Sequence, residues 1–189
     1  MVIIGITGTI GAGKGTVVEY LVQKKNFVHY SVREFLTEEI NKRNLPLNRD
    51  SMVLVANELR EKNSPSYIID CLYERAREVG ENAVIESIRN AGEVMSLRAK
   101  GNFCLLAVDA VPKMRYRRIL KRNSETDEIS FEEFMEDDQR EMSAADPTKQ
   151  DIGRCINMAN YILHNHSSIN DLYNRLEMIL REVLVVKNV

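Results

Sequence analysis

The chain has 189 residues, 44% of them hydrophobic and 29% charged, with a formal net charge of -2. That length fits one ordinary domain able to bury its own core, and the balance belongs to a folded soluble protein rather than a disordered one. With 26 basic residues against 28 acidic ones, the basic excess of a general nucleic-acid binder is missing, and no apolar run approaches the ~20 residues of a membrane helix.

Strand-like and amphipathic runs alternate along the chain, which predicts an α/β fold on a parallel sheet. The first strand runs from Val2 to Thr7. It lies too near the start, with too few basic residues, to belong to a signal peptide. A helix is expected from Lys14 to Lys25 and a second strand from Val28 to Ser31. Helices over Val32 to Asn44, Arg49 to Lys62 and Ser66 to Val79 follow, punctuated by Pro46 and Pro65. The third strand is Ala83 to Ser87, then a helix from Glu93 to Ala99, a fourth strand from Phe103 to Asp109 and a helix from Lys113 to Arg122. Residues 123–138 read NSETDEISFEEFMEDD, dense in acids, with a helix expected near Ser130 to Met142. A fifth strand, Tyr161 to His164, and a helix from Ile169 to Val183 close the pattern. The expected architecture is three-layer αβα, with a five-stranded parallel sheet and helices on both faces. Three scattered cysteines, Cys71, Cys104 and Cys155, sit in apolar stretches and read as reduced core thiols of a cytoplasmic protein. His164 and His166 have no cysteine beside them and read as loop histidines, not zinc ligands.

After the first strand comes Gly8-Thr9-Ile10-Gly11-Ala12-Gly13-Lys14-Gly15-Thr16, a G-x-x-x-x-G-K motif between strand and helix. The glycines let successive backbone N–H groups converge on phosphate oxygens, and the helix start adds its partial positive charge. Gly11, Ala12, Gly13, Lys14, Gly15 and Thr16 are therefore the expected phosphate-binding residues of a P-loop NTPase fold, with Lys14 reaching the β and γ phosphates. The common P-loop has Ser or Thr directly after the lysine. Here Gly15 intervenes, leaving Thr16 and the carboxylate Glu86 as candidates for Mg²⁺, the latter through water.

Glu86 and Arg89 lie at the carboxyl end of the third strand, where ligands of parallel sheets bind. An arginine there can grip an acceptor phosphate with its planar fork. Arg115, Arg118 and Arg122 share one helix face, a row suited to neutralising charge on a transferring phosphate, and Arg140 enters from beyond the acidic stretch.

These motifs resemble the nucleoside monophosphate kinases, adenylate kinase among them. The Gly-Lys-Gly-Thr ending matches that family, and Glu86 to Arg89 resembles its Asp-Gly-Phe-Pro-Arg segment with Glu for Asp and no proline. Tyr161 to Asn165 and the Gly-Ile-Thr-Gly opening are also similar to dephospho-CoA kinases. Archaeal adenylate-kinase-related proteins and kinase-like domains fused to deoxycytidylate deaminases share the overall pattern. The resemblance implies a single domain over residues 1–189, with an acceptor-binding helical insertion at approximately 32–80 and a short lid at approximately 123–140. It implies Arg118, Arg122 and Arg140 as catalytic with Lys14, Arg33, Arg60, Glu86 and Arg89 on the acceptor side, and ATP with Mg²⁺ as co-substrate and cofactor. The expected activity moves the γ-phosphate of ATP to a nucleoside or deoxynucleoside monophosphate. A dephospho-CoA kinase and an ATP-dependent switch or assembly factor are the alternatives. Small nucleotides are the expected partners of a monomer or homodimer, with no nucleic acid and no membrane.

Overall fold

In the computed structural model, which describes residues 1–122, 130–142 and 150–185, five parallel strands form one sheet. They are β1 (Ile3–Gly8), β2 (Val28–Tyr30), β3 (Ala83–Ile85), β4 (Phe103–Asp109) and β5 (Tyr161–His164), in the order β2-β3-β1-β4-β5. The helices are α1 (Lys14–Lys25), α2 (Val32–Lys42), α3 (Arg49–Lys62), α4 (Tyr67–Val79), α5 (Ala91–Ala99), α6 (Pro112–Arg122), α7 (Phe131–Met142), α8 (Ile152–Asn157) and α9 (Ile169–Val185).

The central strand β1 is buried at every position, which is why its sequence is nearly continuous isoleucine and glycine: both faces are covered. The two-residue period divides the core. Ile3, Ile85 and Leu105 join Phe35, Ile40, Leu72, Leu97 and Cys155 on the face covered by α2 to α5 and α8. Ile4, Ile6, Leu106 and Val108 join Val17, Leu21, Leu172, Leu176 and Leu180 on the face covered by α1 and α9. Parallel strands end together, so the β1–α1 loop, the segment after β3 and the turns after β4 and β5 gather along one edge.

Local chemistry sets several helix starts. Ser31, Asn48, Asn90 and Asp151 each accept a hydrogen bond on the side chain from the amide three residues on, the N-cap arrangement favoured by short polar side chains. At Asn90 the box is reciprocal, because Glu93 reaches back to the Asn90 amide, and α5 consequently starts ahead of its apolar periodicity. β3 ends at Ile85, sooner than expected, because Ser87 turns to φ 65° and leaves the ladder. The short helix α8 was not expected. Six residues containing Gly153 carry no legible period, and Gly153 is there because a Cβ would lie 2.6 Å from the Met142 carbonyl oxygen.

The acid-rich stretch divides in two. Residues 123–129 of the expected lid lie outside the described residues. The remainder, α7, is a packed helix with Phe134 and Asp138 buried. Asp138 takes a fork of bonds from Arg115, Nη1 at 2.5 Å and Nη2 at 2.7 Å. The same guanidinium lies over the Phe134 ring, 5.3 Å from its centroid. Arg115 is only 4% exposed. It is therefore a brace inside the fold, a correction to its expected place in a phosphate-facing arginine row. Asp138→Ala should lower the unfolding free energy by about 3 kcal/mol, because it strands a buried guanidinium. The urea midpoint measures this, and an unchanged midpoint would show that Arg115 does not depend on the pair.

Candidate active site

The loop between β1 and α1 owes its shape to three glycines, Gly8, Gly11 and Gly13, all at positive φ, and to side chains that claim its carbonyls. Gly8 has φ 132° and Gly13 φ 103°, and a Cβ on them would fall 2.0 Å from the Val108 carbonyl oxygen and 2.4 Å from Asn165 Nδ2. No other residue fits either position. Lys14 Nζ donates to the Gly8 and Thr9 carbonyls, both at 2.8 Å. Arg115 Nη1 donates to Ile10 O at 3.3 Å, while Asn165 Nδ2 and Arg118 Nη1 donate to Ala12 O at 2.9 and 3.3 Å. With these carbonyls engaged, the loop amides are the groups left to face an anion. Gly13 caps α1 without a side chain and no acid stands in the first turn, so the positive end of the helix is uncompensated.

Beside the loop, the charges of Arg89, Glu141 and Glu86 act on Lys14. Burial, and next the positive charge of Arg89, push Lys14 down to about 8, while Glu141 and Glu86 partly offset them. Glu86 Oε1 accepts from Ser31 Oγ at 3.1 Å and lies 3.5 Å from His29 Nε2, a charge contact rather than a hydrogen bond. The neighbouring His29 is the main reason the Glu86 carboxyl lies below the usual range, and Glu86 in turn raises His29.

Arg89 is held from several directions. Its amide donates to Glu93 Oε2 at 2.7 Å and its carbonyl accepts from the Asp151 amide at 2.8 Å. Its guanidinium donates to Gln150 Oε1 at 2.6 Å and lies 3.8 Å from Glu141 Oε1. The positive φ at Ser87 adds strain of the kind that clusters at binding sites, costing roughly 1–3 kcal/mol. Glu93, fully buried, is pushed up by burial and pulled back chiefly by Arg60.

The sequence-predicted residues divide accordingly. Gly11, Ala12, Gly13, Lys14, Gly15 and Thr16 form the loop, with Glu86 and Arg89 beside it. Arg118 lies on its rim, bonded also to the Asn165 carbonyl at 2.9 Å. Arg122 stands exposed at the end of α6, and Arg33 is exposed in the first turn of α2. Two arginines are not brought to the loop. Arg60 pairs with Glu93 at 3.3 Å and meets Arg89 only through that carboxylate. Arg140 is 74% exposed and pairs with Asp137 one turn back at 2.8 Å.

Sequence reasoning missed Asn165, Glu93, Glu141 and Gln150. His164 and His166 drew attention instead, but their rings lie against each other, 5.3 Å apart, while the buried Asn165 between them ties β5 to the loop. The capping box at Asn90 and Glu93 was the one legible signal; the other residues are brought in by tertiary folding alone.

A family model described as an AAA domain matches residues 4–144. A UPF0200 protein of Methanocaldococcus jannaschii is 33% identical over 97% of this chain and 91% of its own length. Another, from Methanococcus maripaludis, is 31% identical over 98% of this chain and all of its own. The chain is an AAA-domain protein of the UPF0200 family. Its fold is shared with solved structures at low identity. TT1252 from Thermus thermophilus has a TM-score of 0.62 at 21% identity, covering 96% of this chain and 97% of that one. A gluconokinase from Sinorhizobium meliloti has 0.60 at 11%, covering 99% and 98%. Shikimate kinase from Bacteroides thetaiotaomicron has 0.57 at 16%, covering 95% and 98%. The UPF0200 chain thus shares the fold of these kinases.

The residues of the UPF0200 chain fit magnesium, which binds with nucleotide phosphates and few protein ligands. Glu86 is ionised and fixed in place, Thr16 offers a hydroxyl, and both are hard oxygen donors. Gly15 has no steric reason to lack a side chain, since a Cβ there would meet nothing within 4 Å. Among the described residues no group of three or more His, Cys, Asp or Glu is placed to hold a metal by itself. No described helix is long and apolar enough to cross a membrane.

Lys14 must be protonated to attract phosphate, and in the free protein it titrates near 8. Affinity for ADP without metal should therefore fall as pH rises through about 8. Titration calorimetry measures this, and a Lys14→Met protein should lose the dependence along with most of the affinity.

Proposed function

We propose that this protein is an ATP-dependent phosphotransferase whose acceptor is a small phosphorylated molecule, a nucleoside or deoxynucleoside monophosphate first among them. The observation that carries the reading is the loop between β1 and α1, whose carbonyls are claimed by Lys14, Arg115, Arg118 and Asn165 while its amides and the uncompensated start of α1 are left for an anion. Arg89, fixed by Glu93, Asp151 and Gln150 at the adjacent strand end, adds a second cation. Its charge also lowers Lys14, and cations so placed are suited to a bound oxyanion.

In this reading the loop amides and the α1 terminus hold the donor phosphates. Lys14, resting on two loop carbonyls, donates to the β and γ oxygens as charge develops on them. Arg89 is oriented beforehand by Glu93, Asp151 and Gln150, so little reorganisation is left for the moment of transfer. Magnesium bound with the nucleotide supplies charge neutralisation on the phosphates, with Glu86 through water and Thr16 through its hydroxyl as its protein-side donors. A phosphate acceptor arrives already ionised, so positioning matters more than proton removal. Arg33, exposed on α2, would be a second cation for the acceptor, and a lid over residues 123–140 would close with Arg118, Arg122 and Arg140 to exclude water, carrying Arg140 in from its exposed position.

The experiment is ADP release with Mg-ATP against ribo- and deoxyribonucleoside monophosphates, dephospho-CoA, shikimate and gluconate, each beside an acceptor-free control. One acceptor that raises the rate by orders of magnitude supports the kinase and names its substrate. Slow hydrolysis stimulated only by a macromolecule would favour a nucleotide-dependent switch. With the acceptor in hand, Lys14→Ala should cost at least ~3 kcal/mol of transition-state stabilisation; near-normal turnover of the folded variant would sink the mechanism. Arg89→Ala should raise the acceptor KM far more than the KM for ATP, and equal changes would remove Arg89 from the acceptor side.

A further inference from the structure

Glu141 was not expected in the site, yet its carboxylate lies on the side of the Lys14–Arg89 pair supplied by α7. Its contact with Arg89 is loose, 3.8 Å between charged atoms, and both side chains are about one-third exposed at 33% and 32%. The other carboxylate beside Lys14, Glu86, is differently placed, since Ser31 and His29 hold it. Among the described residues, the ion-pair partner of Glu141 is Arg89. Arg89 has a second partner, Gln150 Oε1, at a full hydrogen-bonding distance of 2.6 Å. The neutral amide orients the guanidinium, and the carboxylate supplies the countercharge.

We propose that Glu141 guards an oxyanion site at Arg89, beside the phosphate loop, and that a phosphate-bearing ligand enters by displacing its carboxylate. The exchange is favourable for the right ligand. A phosphate oxygen on an arginine forms charge-assisted bonds of about 2.7–2.9 Å, tighter than the contact it replaces. The exchange is unfavourable for a neutral ligand, which offers Lys14 and Arg89 no charge in return. Once a phosphate is in place, like-charge repulsion turns the Glu141 side chain away from it, and the last turn of α7 takes up the change. Glu141 is thus a specificity-determining residue that sets a threshold of negative charge for entry. That it concerns the acceptor rests on the kinase reading. That it guards an anion site at Arg89 rests on the contacts of Arg89 with Glu141 and Gln150.

The probe is inorganic phosphate, titrated calorimetrically into the whole chain without nucleotide, with folding checked by circular dichroism. Glu141→Gln should bind phosphate about fivefold more tightly than the unsubstituted protein, the scale of a partly exposed ion-pair contact. Glu141→Ala, measured in parallel, should do the same and covers the case in which the amide variant misfolds. In an Arg89→Ala background the gain should vanish, the double variant binding no more tightly than Arg89→Ala alone. Equal affinity in both Glu141 variants and the parent overturns the proposal, as does a gain that persists without Arg89. No phosphoryl transfer enters these measurements. A failed acceptor panel with a Glu141 gain would reject the kinase and keep the guard; an active kinase with no gain would do the reverse.

Discussion

Backbone amides cannot converge on an anion unless the carbonyls of the same residues are satisfied elsewhere. In this chain that constraint is met side chain by side chain: Lys14 takes Gly8 O and Thr9 O, Arg115 takes Ile10 O, and Asn165 and Arg118 take Ala12 O. These donors come from the start of α1, from α6 and from the end of β5, so elements distant in sequence cooperate to keep one turn of backbone in an otherwise unfavourable curl. A net hydrogen bond contributes only about 1 kcal/mol each, and their value here lies in direction more than in strength.

The same demand reaches outward. Arg115 can serve Ile10 O only because Asp138 neutralises it and Ala110 O accepts from its Nε at 2.8 Å, which fixes α7 against α6. Asn165 can serve Ala12 O because its own amide is anchored to Asp109 O at 2.7 Å, while Asp109 Oδ1 also receives the Thr9 hydroxyl at 3.1 Å. On the opposite rim, Glu93 and Arg60 do for the segment after β3 what Arg115 and Asp138 do for the loop. A buried charge pair, costly to place in the interior, holds backbone that no regular ladder would hold. Two separately braced segments thus set Lys14 and Arg89 at neighbouring strand ends.

Much of this was legible beforehand, and the reason is periodicity. All five strands and the long helices follow from alternation and amphipathic spacing, and the loop follows from a motif whose glycines have no substitutes. What escaped reading depends on contacts between elements. Arg115 and Arg118 lie three residues apart on one helix face, and nothing local shows that the first turns into the core toward Asp138 while the second stays on the loop rim. Arg140 and Glu141 are adjacent, and the acidic context made the arginine the natural choice, yet the helix turns Arg140 to solvent and Glu141 inward. Gln150 precedes a helix too short to have a pattern. A charge cluster assembled from β3, α7 and the start of α8 has no sequence spacing from which to infer it.

Position 15 separates two things that usually travel together. The commoner P-loop carries a hydroxyl there, and its absence in this chain serves no packing purpose, since the space a side chain would fill is open and the backbone is not in the left-handed region. The shape of the loop and the chemistry offered at position 15 are therefore independently variable: Gly8 and Gly13 are bound to their conformations, while the neighbouring glycine is a free choice. A single substitution there can add a hydroxyl without disturbing the curl that the other glycines hold.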